Sequence, residues 1–164
     1  MKTAMERAFI RCGQSGRTMA DDDLVRLRPR EYLHRSRQLD GAVLMTFDVL
    51  DAAMGRVAGE ISLRIGEGRG LFYLGHIGYH IDPPFRGRHA ALHACRLCVP
   101  ILDGMGMGSF VITTDEDNVP SIRTAMALGC RLESTVDVPL WCRQEYGISA
   151  RKRRYVFEIR HKMR

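Results

Sequence analysis

The 164-residue chain has no apolar run near the ~18 residues that a membrane-spanning helix requires. It holds one tryptophan, Trp141, and aromatic residues make up only 7% of it. That scarcity argues against a nucleic-acid-binding sheet, which interleaves aromatic rings with basic side chains. Only Tyr155-Val156-Phe157, beside Arg154, comes close. No G-x-x-x-x-G-K-[ST] occurs, so a P-loop of the usual form is excluded. The five cysteines, Cys12, Cys95, Cys98, Cys130 and Cys142, are odd in number and irregularly spaced. They make no disulfide framework and fit a reducing cytoplasm. Cys95 and Cys98 form a C-x-x-C without a second pair at zinc-ligand spacing, inside an Ala/Leu-rich helical pattern. Two small core residues one turn apart are expected there, and no metal site. The chain begins Met1-Lys2-Thr3-Ala4-Met5-Glu6-Arg7 with no apolar stretch behind the charge, so no secretory signal is expected.

What is present suffices for one folded domain over residues 1–164. Apolar residues are 45% of the chain and charged residues 27%, enough for both a core and a solvated surface. The net charge is +6, spread along the sequence. The densest cluster, Arg151-Lys152-Arg153-Arg154, runs into an apolar stretch and reads first as a solvated strand entrance, second as an anion site.

Periodicity is poorest over residues 1–40, where 31–39 reads as a polar helix. From Ala42 onward it is clearer. Residues 43–50 read as a strand. Residues 57–65 alternate, with Val57, Gly59, Ile61, Leu63 and Ile65 on one face, and form a second strand. Residues 66–70 read as a hairpin loop, and 71–82 as a long third strand ended by Pro83-Pro84. A helix is predicted over 87–103, from apolar residues recurring at three and four, with Pro100 kinking it or starting a final turn. Then come a strand (109–114), a helix (119–128) between an Asn118 cap and a Gly129 stop, a strand (131–138), a loop (139–150) and a last strand (154–160). The order from residue 42 is β-β-β-α-β-α-β-β.

The junction that carries chemistry follows the third strand. Arg86-Gly87-Arg88-His89-Ala90-Ala91 opens a helix with small and basic residues. Small residues let backbone N–H groups approach an anion, and the helix dipole adds roughly half a positive charge at that end. Those are the needs of a pyrophosphate.

This stretch resembles the acetyl-CoA motif of the GNAT superfamily, [Q/R]-x-x-G-x-[G/A]: Arg86 matches its first position, Ala91 its last, and His89 stands where a glycine is usual. The preceding His76-Ile77-Gly78-Tyr79-His80-Ile81-Asp82-Pro83 is similar to the corresponding strand of enzymes resembling ribosomal-protein N-terminal acetyltransferases. Asn118-Val119-Pro120-Ser121 through Leu128-Gly129-Cys130 matches the family's second CoA-contacting helix, with Cys130 in place of the usual aromatic. The resemblance covers about residues 42–160. It implies a mixed α/β (α+β) fold whose mostly antiparallel central sheet is flanked by helices and splayed between the strands around 71–82 and 109–114. It also implies acetyl-CoA as co-substrate, held by Gly78, Tyr79, His80, Ile81, Arg86, Gly87, Arg88, His89, Ala90, Ala91, Asn118 and Ser121. A primary amine of a small molecule or a protein would attack the thioester directly. The tyrosine that often lies seven residues after the Asn, as acid for the leaving thiolate, is Ala125 here.

Two residues are candidates to take the amine's proton. His76 lies on the cofactor-side strand at a position often acidic in similar enzymes, and its ordinary pKa is near 6.5. Glu60 on the neighbouring strand is the second, acting directly or through water. Each has a plainer alternative: His76 as a hydrogen-bonded strand histidine, Glu60 as a surface carboxylate or a partner of Arg64. His80 and Asp82 share His76's face by alternation. Trp141 is either a substrate wall or a core or interface anchor. A non-catalytic acyl-CoA sensor or scaffold is the alternative function. No membrane partner is expected, nucleic acid is disfavoured, and a homodimer is left open.

Overall fold

A computed structural model describes residues 1–160 of the chain. Helix α1 (Ala4–Ser15) opens it, held by a capping box: Thr3 Oγ1 accepts from the Glu6 N–H, and the Glu6 carboxylate accepts from the Thr3 N–H. Strands β1 (Ala20–Asp21), β2 (Val25–Leu33), β3 (Val43–Asp51), β4 (Val57–Ile65) and β5 (Ile77–Ile81) pair in that order, antiparallel throughout. A second antiparallel sheet, in the order β6-β8-β7, is built from β6 (Ser109–Thr114), β7 (Arg131–Asp137) and β8 (Arg151–Glu158). Four further helices connect them: α2 (Arg69–Leu74), α3 (Ala90–Gly104), α4 (Val119–Leu128) and α5 (Leu140–Tyr146).

One face of the first sheet carries the core. Leu27, Met45, Phe47, Val49, Ile61 and Leu63 are buried with Phe9 of α1 and with Ala94, Cys95, Cys98 and Leu102 of α3. Period-two alternation in the strands and three-four spacing in the helices put these side chains together. Cys95 and Cys98 are thus core residues, and burial pushes the Cys95 thiol up to about 12. The opposite face meets only a small cluster of Leu39, Ala42 and Leu71, with Leu44, Leu74 and Tyr146 against it. The two faces therefore differ: one is filled, the other is shallow and polar.

Several expectations are corrected. Residues 31–39 are not a helix; β2 runs to Leu33 and a single 3-10 turn covers Arg37–Leu39. The strand expected over 71–82 is only Ile77–Ile81, because Gly68 and Gly75 bracket a two-turn helix that packs Leu71 inward. Residues 66–70 accordingly lead into α2 rather than form a hairpin. The loop expected over 139–150 contains α5, which buries Cys142. The helix after Pro83-Pro84 starts at Ala90, three residues later than expected, after a 3-10 turn over Pro83–Phe85. Pro100 stays inside it. The last strand starts at Arg151, not Arg154, so the basic cluster is itself strand, and Arg154 is buried against Glu133 and Phe72.

Candidate acyl-transfer site

The two sheets touch without pairing along their length. Between β5 and β6 there is one isolated bridge, Gly75 to Ile112, and below it the strands part. His76 sits at the point of parting and clamps it. Its N–H donates to the Val111 carbonyl at 2.7 Å, and its Nδ1 accepts from the Val111 N–H at 2.9 Å. The ring also donates to the Gly66 backbone. An Nδ1 that accepts fixes the neutral tautomer with its proton on Nε2. Burial, with the nearby Arg154 and Arg64 charges, holds the His76 pKa below its ordinary value. The side chain is a hydrogen-bonded strap between two strands, and neither ring nitrogen has a lone pair free for an amine proton.

The parted strands enclose a cleft of about 230 Å³, lined among others by Arg64, Tyr73, Gly78, Tyr79, Thr113, Thr114, Asp115, Asn118, Ser121 and Lys152. β5 is the last strand of its sheet, so one edge of it faces this cleft. Which groups that edge presents follows from the ladder. The Arg64 N–H donates to the His76 carbonyl and the Asp82 N–H to the Ala58 carbonyl. In an antiparallel pair such residues alternate, so Gly78 and His80 turn their backbone groups to β4 and Ile77, Tyr79 and Ile81 turn theirs outward. Arg86 confirms the outward set: its Nε donates to the Ile81 carbonyl at 2.8 Å. Of the four residues expected to offer backbone to a ligand, Tyr79 offers its N–H and C=O, Ile81 has its carbonyl engaged, and Gly78 and His80 face the sheet.

At one end of β5 lies the start of α3. His89 is its N-cap and makes no side-chain capping bond, so the first N–H groups of the helix carry no side-chain cap. Gly87 and His89 both have positive φ, 79° and 61°. The left-handed conformation explains why a glycine is usual at position 89: His89 adopts a glycine's backbone and keeps its side chain exposed. Arg88 is exposed beside it. Across the cleft, Asn118 caps α4 by accepting from the Ser121 N–H, and the Tyr79 hydroxyl donates to Ser121 Oγ at 3.3 Å. Thr114 Oγ1 lines the same cleft, buried and without a hydrogen-bond partner. Uncapped N–H groups, a free strand edge and an orphan hydroxyl make a site with unmet polar capacity.

Glu60 stands elsewhere. It is half-exposed on the shallow face of β4, ion-paired with Arg30 rather than with Arg64. It is opposite His80 and four residues along the strand from Arg64, roughly 13 Å at the usual rise. His80 and Asp82 make an exposed contact of 3.5 Å with each other. Trp141 packs edge-on to Tyr73 and lies under the Arg69 guanidinium, so it walls the shallow-face side of the cleft through Tyr73.

Sequence reasoning does not single out Tyr73, Thr114 and Asp115, and it names Arg64 only as a possible partner of Glu60 and Lys152 only within the basic cluster. Asp115 accepts from Lys152 Nζ and from Ser149 Oγ, each at 2.6 Å, and these bonds hold its pKa below the usual carboxylate value. Only the position of Asp115, three residues before the Asn118 cap, hints at it.

A mostly antiparallel sheet that splits at two strands, with a bare helix start at one end of the split, defines an α+β fold of the acetyltransferase type. The chain belongs to the acetyltransferase (GNAT) domain family, which matches residues 7–131. No curated protein matches it. Among solved structures, it is similar to a ribosomal-protein-S5-alanine acetyltransferase from Vibrio fischeri (TM-score 0.56, 19% identity, 71% of this chain and 62% of that one). It is similar also to a microcin C7 self-immunity acetyltransferase in complex with acetyl-CoA and AMP (0.55, 22%, 71% and 61%). A third is a ribosomal L7/L12 alpha-N-protein acetyltransferase in complex with coenzyme A (0.55, 20%, 71% and 62%). The match thus spans about three-fifths of the length of these proteins, and at such identities the likeness concerns the fold.

Proposed function

We propose that the chain transfers an acetyl group from acetyl-CoA to a primary amine by direct attack. The observation that carries this is the free edge of β5 at the cleft, with the Tyr79 N–H and C=O unpaired by the sheet, beside the uncapped start of α3. The Tyr79 backbone pairs with the amides of the pantetheine arm as an added strand would. The Ala90 and Ala91 N–H groups and the Arg88 side chain hold the pyrophosphate, with Arg86 steadying the turn through Ile81, and Asn118 and Ser121 flank the arm from α4. These are the expected cofactor residues, with Gly78 and His80 contributing by leaving room and by holding β5 to β4.

In the reaction a C–N bond forms as the thioester C–S bond breaks. The amine loses a proton and the thiolate gains one. The position seven after Asn118 is a buried alanine, Ala125, but the Tyr79 phenol reaches α4 from β5 and meets Ser121 one turn earlier. Burial keeps its pKa above the ordinary value, so it is protonated at neutral pH and can serve the thiolate. For the amine's proton, the engaged ring of His76 leaves water as the first acceptor, with Glu60, paired with Arg30 outside the cleft lining, the second candidate through water. A sensor that binds acyl-CoA without turnover is the alternative. The alanine at 125 favours it, and the Tyr79 phenol in the same cleft favours catalysis.

The test is thiol release from acetyl-CoA with a panel of amines, alongside Tyr79→Phe. Tyr79→Phe is expected to slow turnover with acetyl-CoA about 10²-fold, the lower end for a proton donor. It should spare an activated aryl thioester, whose thiolate leaves unprotonated. Equal slowing of both donors would remove Tyr79 as the acid. Release of thiol with no amine in the panel, despite CoA binding, would favour the sensor.

A further inference from the structure

Among the described residues, Arg64 is the strand cation at the cleft without an acid. It pairs with Leu44, whose side chain belongs to the small cluster under α2 and α5, so Arg64 is on the shallow face of the sheet. Its guanidinium crosses over Gly78: a Cβ added at Gly78 would sit 2.6 Å from Arg64 Nη2. It therefore lies against the strand whose edge is offered to the thioester. Nη1 donates to the Leu74 and Gly75 carbonyls at 3.2 Å each. Among the described residues no carboxylate is within ion-pair distance, whereas Arg28 and Arg30 on the same face are matched by Asp48 and Glu60, and Lys152 and Arg154 of β8 by Asp115 and Glu133. Capping the end of α2 uses one nitrogen, and two carbonyls are no counter-charge for a partly buried guanidinium. Among the described residues the one carboxylate in the cleft lining, Asp115, is already engaged by Lys152 and Ser149, so it supplies no free counter-charge to Arg64.

We propose that the acceptor is a small amine that carries its own carboxylate, an amino-acid-like molecule, and that Arg64 binds that carboxylate. The planar fork of arginine matches a carboxylate in two parallel hydrogen bonds, and among the described residues only Nη1 has partners. With the carboxylate on a guanidinium that lies over Gly78, the amine a bond or two away stands next to the edge of β5 where the acyl carbon is delivered. An amine at the end of a peptide, its neighbouring carbonyl an amide, would leave Arg64 uncompensated and bind less well. The inference rests on the acyl-transfer reading, and it deepens that reading by naming the class of acceptor.

The experiment compares amino acids with their own carboxamides as acceptors for the full chain with acetyl-CoA, following thiol release. The free acids are expected to exceed their amides about 10- to 100-fold in kcat/KM, the range of a charge-assisted hydrogen bond. Arg64→Gln is expected to erase the difference and Arg64→Lys to keep part of it, with the KM for acetyl-CoA unchanged. Amides that serve as well as acids would overturn the proposal. So would an Arg64→Gln loss equal for both, since that is the mark of a structural or oxyanion role. The wild-type comparison needs no variant to fold. Should no amine turn over while CoA still binds, thermal shifts of the CoA-saturated protein with N-acetylamino acids and their amides decide it: stabilisation by the acids alone supports the proposal, and none overturns it. Failure of CoA to bind at all is a different result, and it sinks the acyl-transfer reading first.

Discussion

His76 and His89 show how much a single residue's surroundings decide. The His76 ring accepts from the Val111 N–H, and a protonated ring would set two N–H groups against each other. Its folded pKa lies below the ordinary value near 6.5, so the unfolded chain binds the proton more tightly. The stability it contributes is whole above about pH 6.5 and is lost as pH falls toward the folded pKa. His76→Asn keeps an acceptor near Nδ1 and does not titrate. Thermal melts at pH 7.5 and 5.5 should show a smaller drop for this variant than for the native chain, and turnover at pH 8 should stay within about tenfold. A fall of 10²–10⁴ with CoA affinity intact would restore His76 as the general base. Glu60→Gln, which breaks the pair with Arg30, tests the other carboxylate in the same assay. His89 is in the left-handed region, at roughly 1–2 kcal/mol for a residue with a Cβ. His89→Gly is expected to raise stability in urea by about 0.5–1 kcal/mol, once glycine's added chain entropy is subtracted, without weakening CoA binding. A lower midpoint would show that the exposed imidazole holds the turn.

At the scale of elements, β5 is the piece on which the site depends. Tyr79 turns its N–H away from β4, so Tyr79→Pro removes a donor from the free edge and none from the ladder. The variant should fold, by circular dichroism, and lose CoA affinity at least tenfold; unchanged affinity would move the pantetheine arm off this edge. Gly59→Ala probes the other side of β5. A Cβ there would strike the His80 carbonyl and come within 2.9 Å of Ile81 Cα, both backbone, so destabilisation of about 2 kcal/mol or more is expected in denaturant melts. The strands β3, β4 and β6 and the helix α4 were legible because β4 alternates, β3 and β6 are short apolar runs, and their ends carry caps or turns. α2 and α5 were not. Arg69-Gly70-Leu71-Phe72-Tyr73-Leu74 is too short for a helical period to stand out from an apolar strand, and its two bracketing glycines read equally as a hairpin and a bulge. α1 did leave a signal, Thr3-Ala4-Met5-Glu6, the spacing of a capping box. The α3 start was legible as an anion site, whereas the partners of His76 and Arg64 were not. The partner of His76 comes from β6, distant in sequence, and that of Arg64 from the end of α2, a helix whose period the sequence does not display.

Over the whole molecule, the filled face of the first sheet holds α1 and α3 in place, while the shallow face leaves the cleft open. Glu6, buried at the foot of α1, takes the Tyr32 hydroxyl of β2 at 2.6 Å, and His93 of α3 meets Asp22 of the β1–β2 turn at 2.7 Å, so both helices are held by polar pins as well as by packing. Among the described residues no helix is long and apolar enough to cross a membrane. The cleft is lined by Arg64 and by the Lys152–Asp115 pair, with the uncapped start of α3 at one end of β5. Calorimetric titration with CoA tests this account most directly. Wild-type protein should bind with a micromolar Kd, and Arg88→Ala should weaken binding about tenfold, the worth of one charge-assisted phosphate contact. The absence of heat at millimolar CoA, from protein shown to be folded, would contradict it.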